Sequence, residues 1–591
     1  MPLRFFCRSV WLSACRGVLC SGLVASLVAC GGGGSGTTTA PPVPTTATVS
    51  GRVTFDRVPF QSADNAYSLN FAAVTQAPAR AVVVELLPGG GGAALAATLT
   101  DAQGYYSFIT TPGTSVQLRV RAKMMEAGSN PGYTVTVVDN TSANAPYIFD
   151  GSAFTAAAGT TTRSVNFASG WNATTTQYVD ADRAAAPFAM LDTLYKAIQL
   201  VRSAEAAAYF PDLKLHWSVR NKPVATPFNV ASGSLGNTFF TPFDAGAGAN
   251  FTERGIYVLG DSGSDTDEYD EGVIAHEYAH YYEASFSRSE TIGGQHAPGD
   301  KLDLRVAFSE GWGNAFSSMV RGSSLYKDSA RPGTTQGFGF DLERNDLDDL
   351  SGATGWYAED SVQEILWDVF DNTPNENNDS VALGFAPIHA VMSGAFKQTP
   401  ALSSIFPFLA ALKSANTAAV AGIDALGQAS GITMVGVDAW GSTETNTGGR
   451  ADLLPLYRSL VPGTGSVSAV STNSVAGQYH LYNGVGARRF FRLSIATAGT
   501  VTIQLSGPTG ADPNFSLFNG SAGMVEWGEC PAVSTAPAGC SGQATETEVW
   551  SKTLPVGEYV LEVLDSNRID DTLTPVPAAG DTALTLTVTQ P

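Results

Sequence analysis

The stretch VIAHEYAHYY, residues 273–282, contains the pattern HExxH within an apolar run that favours a helix. His276 and His280 are four positions apart, so a helix places them one turn apart on the same face. Two imidazoles in this arrangement bind one Zn²⁺, and Glu277 reaches a water on the open side of the ion. The alternative is a buried helix whose histidines bond to neighbouring carbonyl groups. The motif predicts a metal centre with His276 and His280 as ligands.

A third ligand is expected from a second helix. In the pattern HExxHxxGxxH a third histidine follows at once, but the corresponding positions here hold Glu283 and Phe286, which excludes that class of metalloprotease. The stretch VAFSEGWGNAFS, residues 306–317, supplies Glu310 on an apolar helical pattern that would pack against the first helix. Asp300 competes by its spacing, but it lies in a Pro-Gly-Asp turn. We therefore predict Glu310 as the third ligand.

VIAHEYAH together with SEGWGNAF is similar to the thermolysin-like gluzincin zinc metalloproteases. The closest type is fungalysin, which pairs HEYxH with a GEGWxDFF helix. The resemblance implies His276, His280 and Glu310 as zinc ligands. It also implies that Glu277 is the general base. Where that pattern has an aspartate that holds the first histidine, this chain has Asn314, an amide that accepts a hydrogen bond but carries no charge.

The residue that stabilises the oxyanion is left open by the sequence. Thermolysin-like enzymes use a later histidine or tyrosine. The stretch WYAEDSVQEILWD, residues 356–368, resembles the segment in which fungalysins place an active-site histidine. This chain has Trp356 and Tyr357 there, and the phenol of Tyr357 can donate a hydrogen bond. His389 and His296 are the other candidates.

Two features precede the HExxH motif. Residues 255–260, GIYVLG, read as the edge strand of a sheet, which can pair with an extended peptide substrate through backbone hydrogen bonds. The segment 261–271 then holds six acidic side chains. Their carboxylates form either a Ca²⁺ loop or a solvated acidic helix start, which the helix dipole favours. Because the spacing is not that of an EF-hand, the solvated interpretation is preferred.

The composition narrows the class of partner. The 591 residues include 33 Lys and Arg against 54 Asp and Glu, which gives a net charge of −21. A field of this sign repels phosphate backbones, so we expect no nucleic-acid partner. Charged residues make up only 15% of the chain, and there are 62 glycines. This composition predicts many short strands and turns, with long helices confined to one region.

The beginning of the chain has the features of an export signal. Arg4, Arg8 and Arg16 precede or border the apolar run Val18–Ala29, which is too short to span a bilayer as a stable helix. LVAC, ending at Cys30, resembles the lipobox of bacterial lipoproteins. The resemblance implies cleavage before Cys30, its acylation and, since glycine follows, an outer-membrane location. An ordinary secretory signal with an incidental cysteine is the alternative.

The cysteine usage agrees with export. Of the six cysteines, three lie in the signal and Cys30 would carry lipid, which leaves Cys530 and Cys540. Two thiols so close together in an exported chain predict a disulfide.

Strand patterns and composition divide the chain into five segments. SGRV at 50–53 and TDAQGYYSF at 100–108 resemble the carboxypeptidase regulatory-like β-sandwich. FFRLSIATAGTVTIQLSG and LPVGEYVLEVLD resemble the bacterial pre-peptidase C-terminal domain, which is also a β-sandwich. Helical periodicity begins at Ala184. The predicted segments are a signal peptide (1–29), a flexible tether (30–48), an N-terminal β-sandwich (49–170), an α+β, mainly helical zincin-type metallopeptidase domain (171–462) and a C-terminal β-sandwich (463–591).

The sequence thus predicts a multidomain zinc metalloendopeptidase, anchored by lipid to the bacterial cell envelope, that hydrolyses peptide bonds of protein substrates. Two alternatives stay open. An aminopeptidase would need an acidic pocket for the α-amine of its substrate. A surface binding protein would hold zinc as a structural ion, but structural sites usually close with four protein ligands and only three are apparent here. The sequence does not determine the oligomeric state.

Overall fold

The computed structural model describes residues 46–128, 132–224, 228–242, 253–343, 353–371, 380–520, 523–527, 547–570 and 575–591, with the backbone alone for 523–527. The predicted signal peptide, Cys30 and most of the tether precede these residues, and Cys530 and Cys540 fall between 527 and 547. Their roles stay predictions. Within the described part of the chain, no helix is long and apolar enough to cross a membrane.

The N-terminal region is a β-sandwich of two sheets, and buried side chains alternate with more exposed ones along strands such as Tyr105–Thr110 and Ser115–Met125. The first sheet contains Ala47–Arg57, Thr75–Pro78, Tyr105–Thr110, Gly159–Thr162 and Val165–Phe167. The second begins with Val82–Pro88, Ala96–Leu99, Ser115–Met125, Thr134–Asp139, Ala145–Pro146, Ile148–Asp150 and Phe154–Thr155. The stretch SGRV lies within the strand Ala47–Arg57, and TDAQGYYSF forms a turn that leads into the strand Tyr105–Thr110.

The second sheet continues past residue 170. Leu213–Trp217 pairs in parallel with Thr134–Asp139, and Gly255–Val258 and then Phe239–Thr241 follow outwards. One hydrophobic core extends from this sheet into the helices. The N-terminal sandwich and the helical region therefore share a sheet and a core, and the predicted boundary at 170 passes through both.

The helical region contains most of the helices in the described residues. They are Ala186–Ala204, Glu271–Phe286, Leu304–Arg321, Glu359–Phe370, Phe385–Ser393, Ala395–Gln398, Ile405–Ala415 and Val420–Ala429. In the described part of this region, four two-stranded sheets accompany them: Trp171–Asn172 with Gln177–Tyr178, Lys222–Pro223 with Ser234–Leu235, Gly260–Asp261 with Asp265–Thr266, and Leu325–Ser329 with Gly337–Asp341. Below, Glu271–Phe286 is the HExxH helix, Leu304–Arg321 the Glu310 helix, and Phe239–Thr241 the edge strand.

The HExxH helix and the Glu310 helix pack closely. The indole N–H of Trp312 donates to the carbonyl of Ala279 at 3.3 Å, and its ring lies 5.2 Å from that of Tyr282. A Cβ on Gly313 would come within 2.5 Å of the His276 ring, so this glycine permits the close approach. Burying an aromatic side chain between the helices contributes about 1.5–3 kcal/mol to the free energy of folding. Gly313→Ala would force the helices apart because the added methyl group would overlap the His276 ring.

The C-terminal β-sandwich has its own core between two sheets. One contains Tyr457–Leu460, Arg488–Ile495, Pro513–Asn519, Gly523–Trp527 and Gly557–Asp565, and the other Ser466–Thr472, Gly499–Ser506, Thr547–Leu554 and Asp581–Thr589. The short helix Ser566–Ile569 follows the last strand of the first sheet. Because Tyr457–Leu460 already pairs with Arg488–Ile495, this sandwich begins upstream of the predicted boundary at 462.

Candidate metal centre

Three side-chain atoms converge between the HExxH helix and the Glu310 helix. Nε2 of His276 lies 3.2 Å from Nε2 of His280 and 3.2 Å from Oε2 of Glu310, and the remaining distance, from His280 to Glu310, is 3.6 Å. Ligands about 2.0–2.1 Å from a tetrahedral ion are about 3.3–3.4 Å apart, so this triangle fits Zn²⁺. Imidazole nitrogen and carboxylate oxygen are also donors that zinc accepts, and three ligands leave a position open.

His276 is oriented by an amide. Its Nδ1 donates to Oδ1 of Asn314 at 2.8 Å. The amide is itself oriented, because Nδ2 of Asn314 donates to Oε1 of Gln363 at 2.7 Å. A proton on Nδ1 leaves the lone pair of Nε2 available to a metal ion. Asn314 therefore holds the first histidine as the resemblance implies, without adding a charge.

His280 is held by Glu283 and Ser309, neither of which the HExxH motif predicts as a site residue. Its Nδ1 lies 3.2 Å from Oε2 of Glu283 and 3.2 Å from Oγ of Ser309. The hydroxyl of Ser309 donates to the same carboxylate at 2.6 Å. Glu283 follows His280 by three positions, so the helix places both on one face. This spacing is the signal that could have identified Glu283, whereas Ser309 depends on helix packing.

Glu277 is anchored to the edge strand. Its Oε2 accepts the backbone N–H of Phe240 at 2.8 Å, and the residue is only 8% exposed. Burial raises the pKa of Glu277 above its usual range, and the neighbouring histidines offset this only in part. A raised pKa suits a carboxylate that takes up a proton near neutral pH.

His296 reaches the triangle from the irregular segment 287–303 between the two helices, here called the His296 loop. Its Nε2 lies 3.3 Å from Oε2 of Glu310 and 3.7 Å from Oε2 of Glu359, while Nδ1 donates to the carbonyl of Gly294 at 3.2 Å. Burial lowers the pKa of His296, but the two carboxylates outweigh it and raise the pKa to about 9. With both carboxylates ionised, His296 offers an N–H donor beside Glu310.

Tyr357 and His389 do not line the cleft around these ligands. The hydroxyl of buried Tyr357 donates to the carbonyl of Thr354 at 2.9 Å. His389 accepts the hydroxyl of Tyr282 at 2.8 Å, and its Nε2 lies 3.0 Å from Oε2 of Glu205. The structure thus corrects both oxyanion assignments, because the Tyr357 hydroxyl also lies 3.2 Å from Oδ1 of the distant Asn446, and both ring nitrogens of His389 are engaged away from the cleft.

Asp300 does not join the triangle either. Its Oδ2 accepts the backbone N–H of Ala297 at 2.9 Å, so the carboxylate caps its own turn. The same oxygen lies 3.8 Å from Nε2 of His480. The third corner is occupied by Glu310, on a packed helix, rather than by this turn residue.

His276, His280 and Glu310 open onto a cleft of about 820 Å³. The edge strand lines one part of it and the His296 loop another. The prediction that 255–260 forms the edge is wrong, because Gly255–Val258 pairs with Leu213–Trp217 on one side and with the edge strand on the other. Among the described residues the edge strand is the last of its sheet, so an extended peptide can lie along its outer side, where the N–H of Phe240 already donates to Glu277.

The acid-rich segment 261–271 is largely buried. Asp267 is 3% exposed and Asp270 is 0% exposed, so the preferred solvated interpretation is wrong. Carboxylate oxygens of Asp265, Asp267 and Asp328 lie within 4.8 Å of one another. Burial, with repulsion from neighbouring carboxylates, raises the pKa of Asp265 to about 6 and that of Asp328 to about 7. The alternative interpretation, a Ca²⁺ site, thereby gains three oxygen ligands in one place.

We expect Ca²⁺ to stabilise the fold through this acidic cluster. The raised pKa values mean that the cation-free fold retains protons which the unfolded chain releases above about pH 4, so its stability falls as pH rises from about 4 to about 7. A cation removes this penalty. At pH 7, saturating Ca²⁺ should raise Tm by about 2–5 °C in calorimetry, and Asp267→Asn should lose most of that shift.

The matched control for this experiment is Asp261→Asn. Asp261 pairs with Asp265 in the short hairpin 260–266 but does not belong to the acidic cluster. It should keep the wild-type response to Ca²⁺. Equal shifts in Asp267→Asn and wild type would contradict a cation site at these carboxylates.

Neither a known sequence family nor a curated protein matches the chain. Among solved structures, it is similar to the pre-peptidase C-terminal domain of a collagenase from Bacillus anthracis, with 12% identity and a TM-score of 0.15 over 22% of this chain and 93% of that one. It is also similar to a surface-associated copper-binding protein of Methylomicrobium album, with 13% identity and a TM-score of 0.17 over 23% and 99%. A third similar structure is a periplasmic inhibitor of g-type lysozyme from Aeromonas hydrophila, with 12% identity and a TM-score of 0.12 over 22% of this chain and 96% of that one. Such scores carry no argument about activity.

Proposed function

We propose that the chain is a zinc metalloendopeptidase of the gluzincin type, with a zincin-like helical domain. The observation that supports this most is the triangle of His276, His280 and Glu310, whose edges of 3.2, 3.2 and 3.6 Å suit a tetrahedral ion. Among the described residues, only these three form this group of possible ligand atoms within 4.8 Å of one another. His296 lies nearby but is not part of the group. Three protein ligands with an open position favour a catalytic ion over a structural one.

The proposed reaction uses residues that the fold has already placed in the cleft. Zinc, when bound, supplies Lewis-acid activation of a water and of the scissile carbonyl. Glu277, held through Oε2 by the N–H of Phe240, takes a proton from the attacking water and passes it to the leaving amine. An extended peptide added to the edge strand runs beside Glu277, which brings its scissile bond to the base.

His296 takes the role of oxyanion donor in this proposal. Its Nε2 lies 3.3 Å from Oε2 of Glu310, and both residues line the cleft. Glu359, 3.7 Å from the same nitrogen, favours the protonated imidazole. Removing a donor aimed at a developing oxyanion typically lowers kcat about 10²–10³-fold. His296 thus takes the place of Tyr357 and His389 among the candidates.

An aminopeptidase is the second candidate, and one observation favours it. Glu359 lines the cleft and is 4% exposed, and its Oε2 has no hydrogen-bond partner among the residues that the structure describes. A buried carboxylate in that position can bind the α-amine of a substrate. The neighbouring imidazolium of His296 opposes this assignment, because it already compensates the charge.

One experiment tests the proposal and separates the candidates. Purified wild-type protein should contain about one zinc per chain and cleave N-acetylated peptides at internal bonds. Dialysis against a chelator should abolish cleavage, and added Zn²⁺ should restore it. Cleavage confined to peptides with a free N-terminus would indicate an aminopeptidase. Bound zinc without hydrolysis of any peptide would refute catalysis and favour a surface binding protein.

We also propose that Cys30 carries the lipid that anchors the protein to the bacterial envelope, at the outer membrane. Burying acyl chains contributes ~0.8 kcal/mol per CH₂, so loss of the acylated cysteine should release the protein. In fractionated cells, Cys30→Ser should give soluble protein or uncleaved precursor. Processed Cys30→Ser protein in the membrane fraction would contradict the anchor.

A further inference from the structure

The His296 loop has no helix or regular strand of its own, so its shape depends on contacts with other parts of the chain. A long irregular segment keeps one conformation only where its backbone polar groups are paired. The group that pairs with its central turn comes from the C-terminal β-sandwich, 190 positions later in the chain.

Asn483 holds the turn that carries His296. It is 0% exposed, and its Nδ2 donates to the carbonyl of Gly293 at 3.1 Å and to that of Gln295 at 2.9 Å. Two carbonyl acceptors require an NH₂ group here, which settles the orientation of the amide. The carbonyl between them, that of Gly294, accepts a hydrogen bond from the Nδ1–H of His296 at 3.2 Å. One side chain therefore fixes the carbonyls on both sides of the one that orients the imidazole.

Gly294 makes this contact possible. Its φ is +103°, in the left-handed region that favours glycine, and a Cβ would lie 2.9 Å from Nδ2 of Asn483. Any other residue would strain the backbone and push the turn away from the amide.

Asn483 is itself fixed relative to Glu310. Its carbonyl accepts the N–H of Asp303 at 2.7 Å, at the residue that precedes the Glu310 helix. In the first turn of that helix, Arg305 pairs with Glu562 of the C-terminal sandwich at 2.6 Å, with both side chains buried. The sandwich is thus bonded both to the His296 loop and to the start of the helix that carries the third ligand.

We propose that Asn483 is a positioning residue of the metal centre, which holds the His296 loop so that Nε2 of His296 faces Glu310. The role of that imidazole rests on the function proposed above. The C-terminal β-sandwich is then a part of the catalytic unit rather than an appended domain.

Hydrogen exchange tests the positioning without reference to activity. In full-length Asn483→Ala, amides of the His296 loop should exchange at least about tenfold faster than in wild type, because two hydrogen bonds are lost. Asn473→Ala is the matched control. Asn473 is a buried asparagine of the same sandwich whose Nδ2 also donates to two carbonyls, those of Arg568 and Ala578. It should leave the exchange of the loop unchanged. Asn483→Asp, which keeps the shape and loses the donors, should behave like Asn483→Ala.

Kinetics of the zinc-loaded proteins give the second readout. Asn483→Ala should keep its zinc and lower kcat about tenfold or more, with KM changed by less than about threefold. Combined with His296→Gln it should lower kcat no further, since both act through one imidazole. Unchanged loop exchange in both Asn483 variants, or equal acceleration in Asn473→Ala, would overturn the proposal. A wild type that hydrolyses no peptide would refute the proposed function alone, and the exchange result would still decide the role of Asn483.

Discussion

Glu277→Gln should keep zinc and the wild-type fold and lower kcat about 10²–10⁴-fold, which corresponds to about 3–5 kcal/mol in the barrier. Glutamine has nearly the shape of glutamate. Its carbonyl oxygen can still accept a hydrogen bond from the N–H of Phe240, which lies 2.8 Å from Oε2 of Glu277 in the wild type. It cannot take a proton from water. Peptide hydrolysis kinetics, together with elemental analysis of the same preparation, measures both parts of the prediction.

Two further variants bracket this result. His276→Ala should lose both zinc and activity, because two remaining ligands hold zinc poorly. Glu271→Gln makes the same substitution in the first turn of the same helix, where Glu271 pairs with Lys196 at 2.8 Å outside the cleft, and it should stay active. Hydrolysis by Glu277→Gln at a rate near that of wild type would show that Glu277 is not the base.

Glu310→Ala should lose most of its zinc, whereas Asp300→Ala should keep it. Oε2 of Glu310 is one corner of the triangle, 3.2 Å from Nε2 of His276 and 3.6 Å from Nε2 of His280. Loss of a residue that only hydrogen-bonds to a ligand weakens zinc binding about 10–100-fold. Loss of the ligand itself should therefore lower the affinity for zinc at least about 100-fold. Titration of both variants against a chromophoric chelator measures the affinities.

Asp300→Ala is an informative control because the wild-type side chain is also a buried carboxylate, 2% exposed, in the loop next to the centre. Its removal frees the N–H of Ala297 and loosens one turn, but no ligand is bonded to it. Zinc lost from Asp300→Ala and retained in Glu310→Ala would reverse the assignment of the third ligand.

Spacing along the sequence was sufficient for the part of the centre that lies on helices. A separation of four residues places His276 and His280 on one helix face whatever surrounds them. The apolar period around Glu310 likewise predicts a second helix and the face it buries. These features are local, because backbone geometry within one element relates the side chains to one another.

Strand patterns predicted which segments extend but not how they pair. The stretches SGRV and TDAQGYYSF identified the segments that form the strands Ala47–Arg57 and Tyr105–Thr110. Strand patterns could not show that Gly255–Val258 lies inside the sheet. Its neighbours in the sheet, Leu213–Trp217 and the edge strand, are separate segments of the chain, and the sequence of a strand does not say which strands it pairs with. Sheet order depends on contacts between distant segments, so the edge that faces the cleft emerged only from the tertiary structure.

The sequence by itself therefore predicted that His276 and His280 share one helix face, that Glu277 lies beside them and that a second helix carries Glu310. The tertiary structure decided the rest: that His296 rather than Tyr357 or His389 meets Glu310, and that Asn483 holds it there. The physical reason is that His296 lies in an irregular loop. No backbone period relates such a residue to the ligands, and its place is set by hydrogen bonds from a domain that folds against it.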